Sequence, residues 1–154
     1  MKANELMIGD LLRVNRDGLC IKKGTIVQVL GIDGEDKLKE KGLVGACHCH
    51  PLDGEQFDGG IWLEYLDPIP LTSEILGKNG FKEKQLPIGM RKMIWESEDT
   101  RTEIVLYMDD TMPMEIRKNI YYEDEICYTL PFVWAVHQLQ HALRLCGIDK
   151  EITL

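Results

Sequence analysis

The sequence predicts an α+β protein in two parts: a small β-barrel over residues 1–70, then a linking helix, an antiparallel sheet and one long amphipathic helix over residues 71–154. Three observations predict it. The first part alternates short aliphatic or β-branched runs with Gly-bearing polar turns and shows no helical period. Pro68 and Pro70 then interrupt any ladder and are followed at once by a helix start. Near the end, apolar residues recur at spacings of four and three, the period of a helix with one buried side.

Residues 11–14 open the front part after a Gly9-Asp10 turn, and 25–32, 43–49 and 61–66 supply its other strands. The links 15–18, 33–42 and 51–60 are dense in Gly, Asp, Lys and Glu, as turns are. Four or five short strands in about 60 residues match a half-open barrel of the SH3-like kind. The Asp67-Pro68-Ile69-Pro70 run is expected to end this sheet, because proline donates no hydrogen bond to a ladder. Thr72 or Ser73 can cap the next helix, with Glu74 in its first turn. Asn79-Gly80-Phe81 is its stop: a left-handed Gly80 brings Phe81 back onto Leu76.

Strands near 90–96, 103–108, 114–122 and 126–130, joined by short polar turns, form the predicted meander. The last helix is predicted over 131–146, with Thr129 as N-cap, Pro131 in its first turn and Gly147 at its end. Phe132, Val136, Leu139, Leu143 and Cys146 form its inner stripe. Residues 151–154 are expected to return as an edge strand.

The chain carries a net charge of -8. Lys and Arg number 8 against 12 Asp and Glu over residues 1–70, and 10 against 14 over 71–154, so each part holds -4. That balance disfavours nucleic acid as a partner, since phosphate binding draws on a basic face. No apolar run approaches the roughly 20 residues that span a bilayer, and residues 1–5 begin no signal peptide. The expectation is a cytoplasmic protein without a membrane partner. Five cysteines, an odd number, then read as free thiols.

His137 and His141 stand one helical turn apart, the spacing by which zinc peptidases hold their metal. Gln138 occupies the place where such an enzyme needs glutamate as general base, so the peptidase reading fails. Both histidines lie opposite the predicted inner stripe, and Trp134 and Leu145 share the outer face with His141. Trp134, His137, His141 and Leu145 are therefore the predicted interaction surface, covered by the front part, by a second copy or by a protein partner. Cys47, His48, Cys49 and His50 are all zinc-ligand types. On a strand, alternation sends the cysteines to one face and the histidines to the other, so the string closes no four-ligand site alone. They remain weak metal candidates, and no cofactor is implied. The acidic turns Glu98-Asp99, Asp109-Asp110 and Glu123-Asp124-Glu125 read as solvated charge. A nucleophile pair of Cys127 or Cys146 with His137 is conceivable, but Cys146 falls on the buried stripe, where thiols are inert.

Leu6-Met7-Ile8-Gly9-Asp10, Ile69-Pro70-Leu71-Thr72-Ser73-Glu74-Ile75-Leu76 with Lys78-Asn79-Gly80-Phe81, and Val136-His137-Gln138-Leu139-Gln140 together frame the chain. In these stretches it resembles a group of small uncharacterised proteins of Bacteroidetes genomes and their phages and mobile elements. The resemblance implies a shared two-part architecture and a phage or mobile-element setting, and no activity. Members carry Asn where this chain has His141, which further weakens a metal role for the histidine pair. The expectation is a non-enzymatic accessory or interaction protein; the alternatives are a metal-binding protein using Cys47–His50 and a nucleic-acid-binding barrel.

Overall fold

In the computed structural model, which describes residues 5–18, 20–32, 45–54, 57, 59–86, 91–97, 102–107, 114–118, 126–130 and 133–154, the first strand is launched by a turn. The Asp10 carboxylate accepts the Met7 N–H at 2.8 Å. Gly9 adopts φ +90°, and its N–H donates to the Val29 carbonyl at 2.7 Å. Only glycine enters that region of φ without steric cost. Strand β1 (Leu11–Val14) follows, with β2 (Ile26–Ile32), β3 (Ala46–Pro51), β4 (Gly59–Trp62) and β5 (Leu66–Pro68). They form one antiparallel sheet in the order β4-β3-β2-β1-β5, and β4 and β5 do not pair to close it.

Alternation selects the core of this sheet. Leu12, Val14, Val27, Val29, Cys47, Cys49 and Ile61 all point inward and are buried. Each large aliphatic side chain so buried stabilises the unit by about 2 kcal/mol relative to exposure. A β-bulge between Val29 and Gly31 leaves Leu30 unpaired and exposed, and shifts the parity so that Ile32 also packs on the core. The region predicted as a single strand over 61–66 divides: β4 ends at Trp62, a 3₁₀ turn spans Leu63–Tyr65, and β5 begins at Leu66. The sheet ends at Pro68, within the proline-bearing run expected to end it. Pro68 pairs with Leu12 on an edge strand, where a missing donor costs nothing.

Two antiparallel five-stranded sheets with few helices make this an α+β protein, and each sheet belongs to its own unit, Met1–Ile69 and Pro70–Leu154. The second unit opens with helix α1 (Ser73–Lys78), capped by the Thr72 hydroxyl, which accepts the Ile75 N–H at 3.2 Å. Its stop is a Schellman motif: the Phe81 N–H reaches Leu76 O, the Gly80 N–H reaches Gly77 O, and Gly80 takes φ +80°. Strands β6 (Lys82–Gln85), β7 (Arg91–Ser97), β8 (Thr102–Tyr107), β9 (Met114–Lys118) and β10 (Ile126–Leu130) form a meander in reverse order, β10-β9-β8-β7-β6. Strand β6 escapes sequence reading because all four of its residues are polar and exposed.

Helix α2 spans Val136–Leu145 and so starts five residues later than the predicted 131. Thr129 is no N-cap, since it pairs with Glu115 inside the ladder. Gln138 does the capping, its Oε1 accepting the Trp134 and Ala135 N–H groups at 3.0 and 3.3 Å. Residues 131–132, including the predicted stripe member Phe132, lie outside the described residues, as do the acidic turns at 98–99, 109–110 and 123–125. The α2 C-terminus repeats the motif of α1, with Gly147 at φ +65° and Ile148 N–H on Leu143 O.

Residues 151–154 form no strand. They are held by the buried Ile152 side chain and by hydrogen bonds to Asn79. The Asn79 amide donates to Ile75 O and Thr153 O, both at 2.7 Å, and its Oδ1 accepts the Thr153 N–H at 2.9 Å. Asn79 is buried and its three bonds are part-buried, so losing them leaves backbone groups only partly able to turn to water. Asn79→Ala is expected to destabilise the protein by about 2–3 kcal/mol. Urea unfolding measures that loss, and faster carboxypeptidase trimming reports the released terminus.

Candidate functional site

The first unit carries an aromatic hollow of about 520 Å³ lined by Phe57, Trp62, Tyr65, Cys20, Ile21 and Asp17. Three features of the chain build it. The 3₁₀ turn swings Tyr65 outward while Leu63 stays buried. Gly59 leaves room for the Phe57 ring, since a Cβ there would come within 3.0 Å of it. Asn15 is stapled to the turn: its N–H donates to Tyr65 O at 2.9 Å, and its Nδ2 donates to Glu64 O and Asp67 Oδ1, both at 3.0 Å. Arg16 pairs with Glu64 at 2.7 Å and stacks over the Tyr65 ring at 3.4 Å. The ion pair is half exposed and worth little alone, but the stack holds the guanidinium on the ring's face. The three rings are half-buried; Phe57 and Tyr65 pack against the core of the unit. Sequence reading missed this site because its members come from three separate stretches. The Gly59-Gly60 pair beside Trp62 is the nearest thing to a local signal.

The Cys47–His50 string lies on β3, with Cys47 and Cys49 wholly buried and His48 and His50 exposed on the opposite face. The two sulfurs stand 3.4 Å apart, and the Cys49 thiol also faces Cys47 O at 3.7 Å. That thiol contact, then burial, pushes the Cys49 pKa far above the ordinary thiol range. A group so disposed is neither nucleophile nor ready metal ligand. Among the described residues, no three His, Cys, Asp or Glu side chains converge as a metal site would require.

The predicted surface of the last helix divides. Trp134 and Leu145 are exposed, at 46% and 73%, and His141 is half-buried. His137 is buried at 4%, contrary to expectation. The reason is the width of the buried arc: Val136, His137, Leu139, Gln140, Ala142 and Leu143 together cover roughly 220° at 100° per residue. The His137 and His141 rings meet edge-on, 5.7 Å between centroids. Gln138, in the place of a peptidase's glutamate, serves the helix start instead.

One charged cluster in the second unit was not foreseen. Strand register places Glu103, Tyr107, Glu115 and Arg117 on one sheet face around buried Val105. Arg117 bonds Glu115 at 2.6 Å and Glu103 at 3.5 Å, and the Glu115 bond raises its pKa. Burial, then Glu115, pushes the Tyr107 phenol up. Both carboxylates are thus committed to one cation, the arrangement of a structural ion-pair network.

No protein-family model, curated protein or solved structure matches this chain. Gly9 and Asp10 shape the first turn, Thr72 and Asn79–Phe81 the ends of α1, and Gln138 the start of α2.

Cys20 and Cys127 are exposed, whereas Cys47, Cys49 and Cys146 are buried. A thiol reagent at neutral pH is expected to label two cysteines quickly and the other three only on unfolding. In the unfolded chain Cys49 loses its proton from about pH 8.5 upward, while the folded form keeps it. Its contribution is therefore complete below that pH and declines above it, by about 1.4 kcal/mol per pH unit. Chemical denaturation of the wild type and Cys49→Ala from pH 7 to pH 10 checks this; the variant is expected to lack that part of the slope.

Proposed function

We propose that this chain is a non-enzymatic protein-interaction protein that grips an extended peptide segment in the aromatic hollow of its first unit. The observation that carries the reading is the set of half-exposed rings, Phe57, Trp62 and Tyr65, held on a stapled framework. Rigid aromatic walls suit proline or aliphatic side chains of an extended segment, whose ordering cost is low. Asp17 on the wall and the net -4 of residues 1–70 favour a neighbouring cationic side chain in the ligand. The strand order, with a 3₁₀ turn between β4 and β5, supports an SH3-like barrel. The Bacteroidetes resemblance supports a phage or mobile-element setting, and a cytoplasmic location belongs to the same proposal. No helix among the described residues is long and apolar enough to cross a membrane.

The other readings have less support. Metal binding by Cys47–His50 is opposed by the split of its ligands across β3. Nucleic acid is opposed by the net charge of -4 over residues 1–70. The exposed Trp134 and Leu145 offer a second contact surface without a defined ligand chemistry.

Peptide display against the full chain tests the reading. Enriched sequences are expected to combine proline or aliphatic residues with Lys or Arg, to lose at least about tenfold affinity on Trp62→Ala, and to lose the cationic preference on Asp17→Asn. Melting curves confirm that the variants fold. Absence of enrichment, or binding indifferent to Trp62→Ala, would overturn the proposal. Salt-sensitive retention of an oligonucleotide instead would favour the nucleic-acid reading.

A further inference from the structure

Among the described residues, the two edges of the second unit's sheet differ in kind. At one end β6 reads Lys82-Glu83-Lys84-Gln85, with every side chain exposed. Charged residues, lysine above all, are how soluble proteins keep an edge strand from pairing with another chain. At the other end β10 reads Ile126-Cys127-Tyr128-Thr129-Leu130 and contains no charge at all. Cys127, Tyr128 and Thr129 are exposed in succession. Because successive side chains point to opposite faces, both faces of the strand are open at its centre.

We propose that β10 is a strand-addition interface and that its occupant is β10 of a second copy of this chain. Three features select that occupant. An antiparallel β10–β10 pair has two-fold symmetry and closes at two copies, joining the sheets into one of ten strands. A head-to-tail β10–β6 pairing would propagate as an open filament, and the lysines of β6 oppose it. With an overall charge of -8, most surfaces of two copies repel, whereas β10 sets no carboxylate against its own image. The paired strands are short, so the interface lies at the small, weak end of the range, with Kd on the order of 10 μM.

Sedimentation equilibrium of the full chain from a few to several hundred micromolar tests this. The mass is expected to rise from 17.7 kDa toward twice that value. Tyr128→Lys and Thr129→Lys, both at exposed positions, are expected to shift dimerisation at least about tenfold to higher concentration without lowering the melting temperature of the monomer. Lys84→Thr on the opposite edge should not weaken it. Register is read by mild oxidation. A pair centred on Cys127 cross-links the native protein through that residue, while one centred on Tyr128 cross-links only after Thr129→Cys. A chain that stays monomeric throughout, or a dimer untouched by both lysine variants, overturns the proposal.

Discussion

One side-chain amide ties the first helix of the second unit to the end of the chain. Asn79 closes helix α1 by bonding Ile75 O, and the same group offers Thr153 a donor and an acceptor, much as a neighbouring strand would. The end of the chain is thereby held without a strand. The same turn places Gly80 in its left-handed conformation, which sends Phe81 into the core and delivers the chain to β6. Asparagine suits the position because its amide carries both donor and acceptor on a short stem. Aspartate could accept the Thr153 N–H but could not donate to either carbonyl.

The same economy recurs wherever the backbone turns. Asp10 closes the entry to β1, Thr72 caps α1, Gln138 caps α2, and glycines at positive φ end both helices. A chain with short elements has many unsatisfied N–H and C=O groups per residue, and these side chains satisfy them. Specific residues at element ends are therefore what such a sequence most visibly displays, ahead of any chemistry.

Surfaces available for recognition arise where this logic is relaxed. The first unit leaves three rings partly uncovered around a stapled loop, although nothing in backbone satisfaction requires it. Among the described residues, the second carries charge on one edge strand of its sheet and none on the other. The buried thiol pair and the Arg117 cluster are the opposite case: polar groups engaged with one another.

By itself, the sequence determined the α+β class, the helix start at Thr72, the stops at Gly80 and Gly147, most strand positions, and the splitting of Cys47–His50 across a strand. All of these follow from local rules of periodicity, capping and alternation. It misplaced the start of the last helix because proline and threonine at 129–131 resemble a helix start as much as a strand end. It missed β6 because an edge strand need bury nothing. Only the tertiary structure decided that His137 is buried, since the width of a helix's covered arc depends on what packs beside it. Only the structure assembled the aromatic hollow, because its walls come from segments some 40 residues apart that the sheet brings together. Local order is written residue by residue; a binding surface depends on contacts between distant segments, and no local pattern records it.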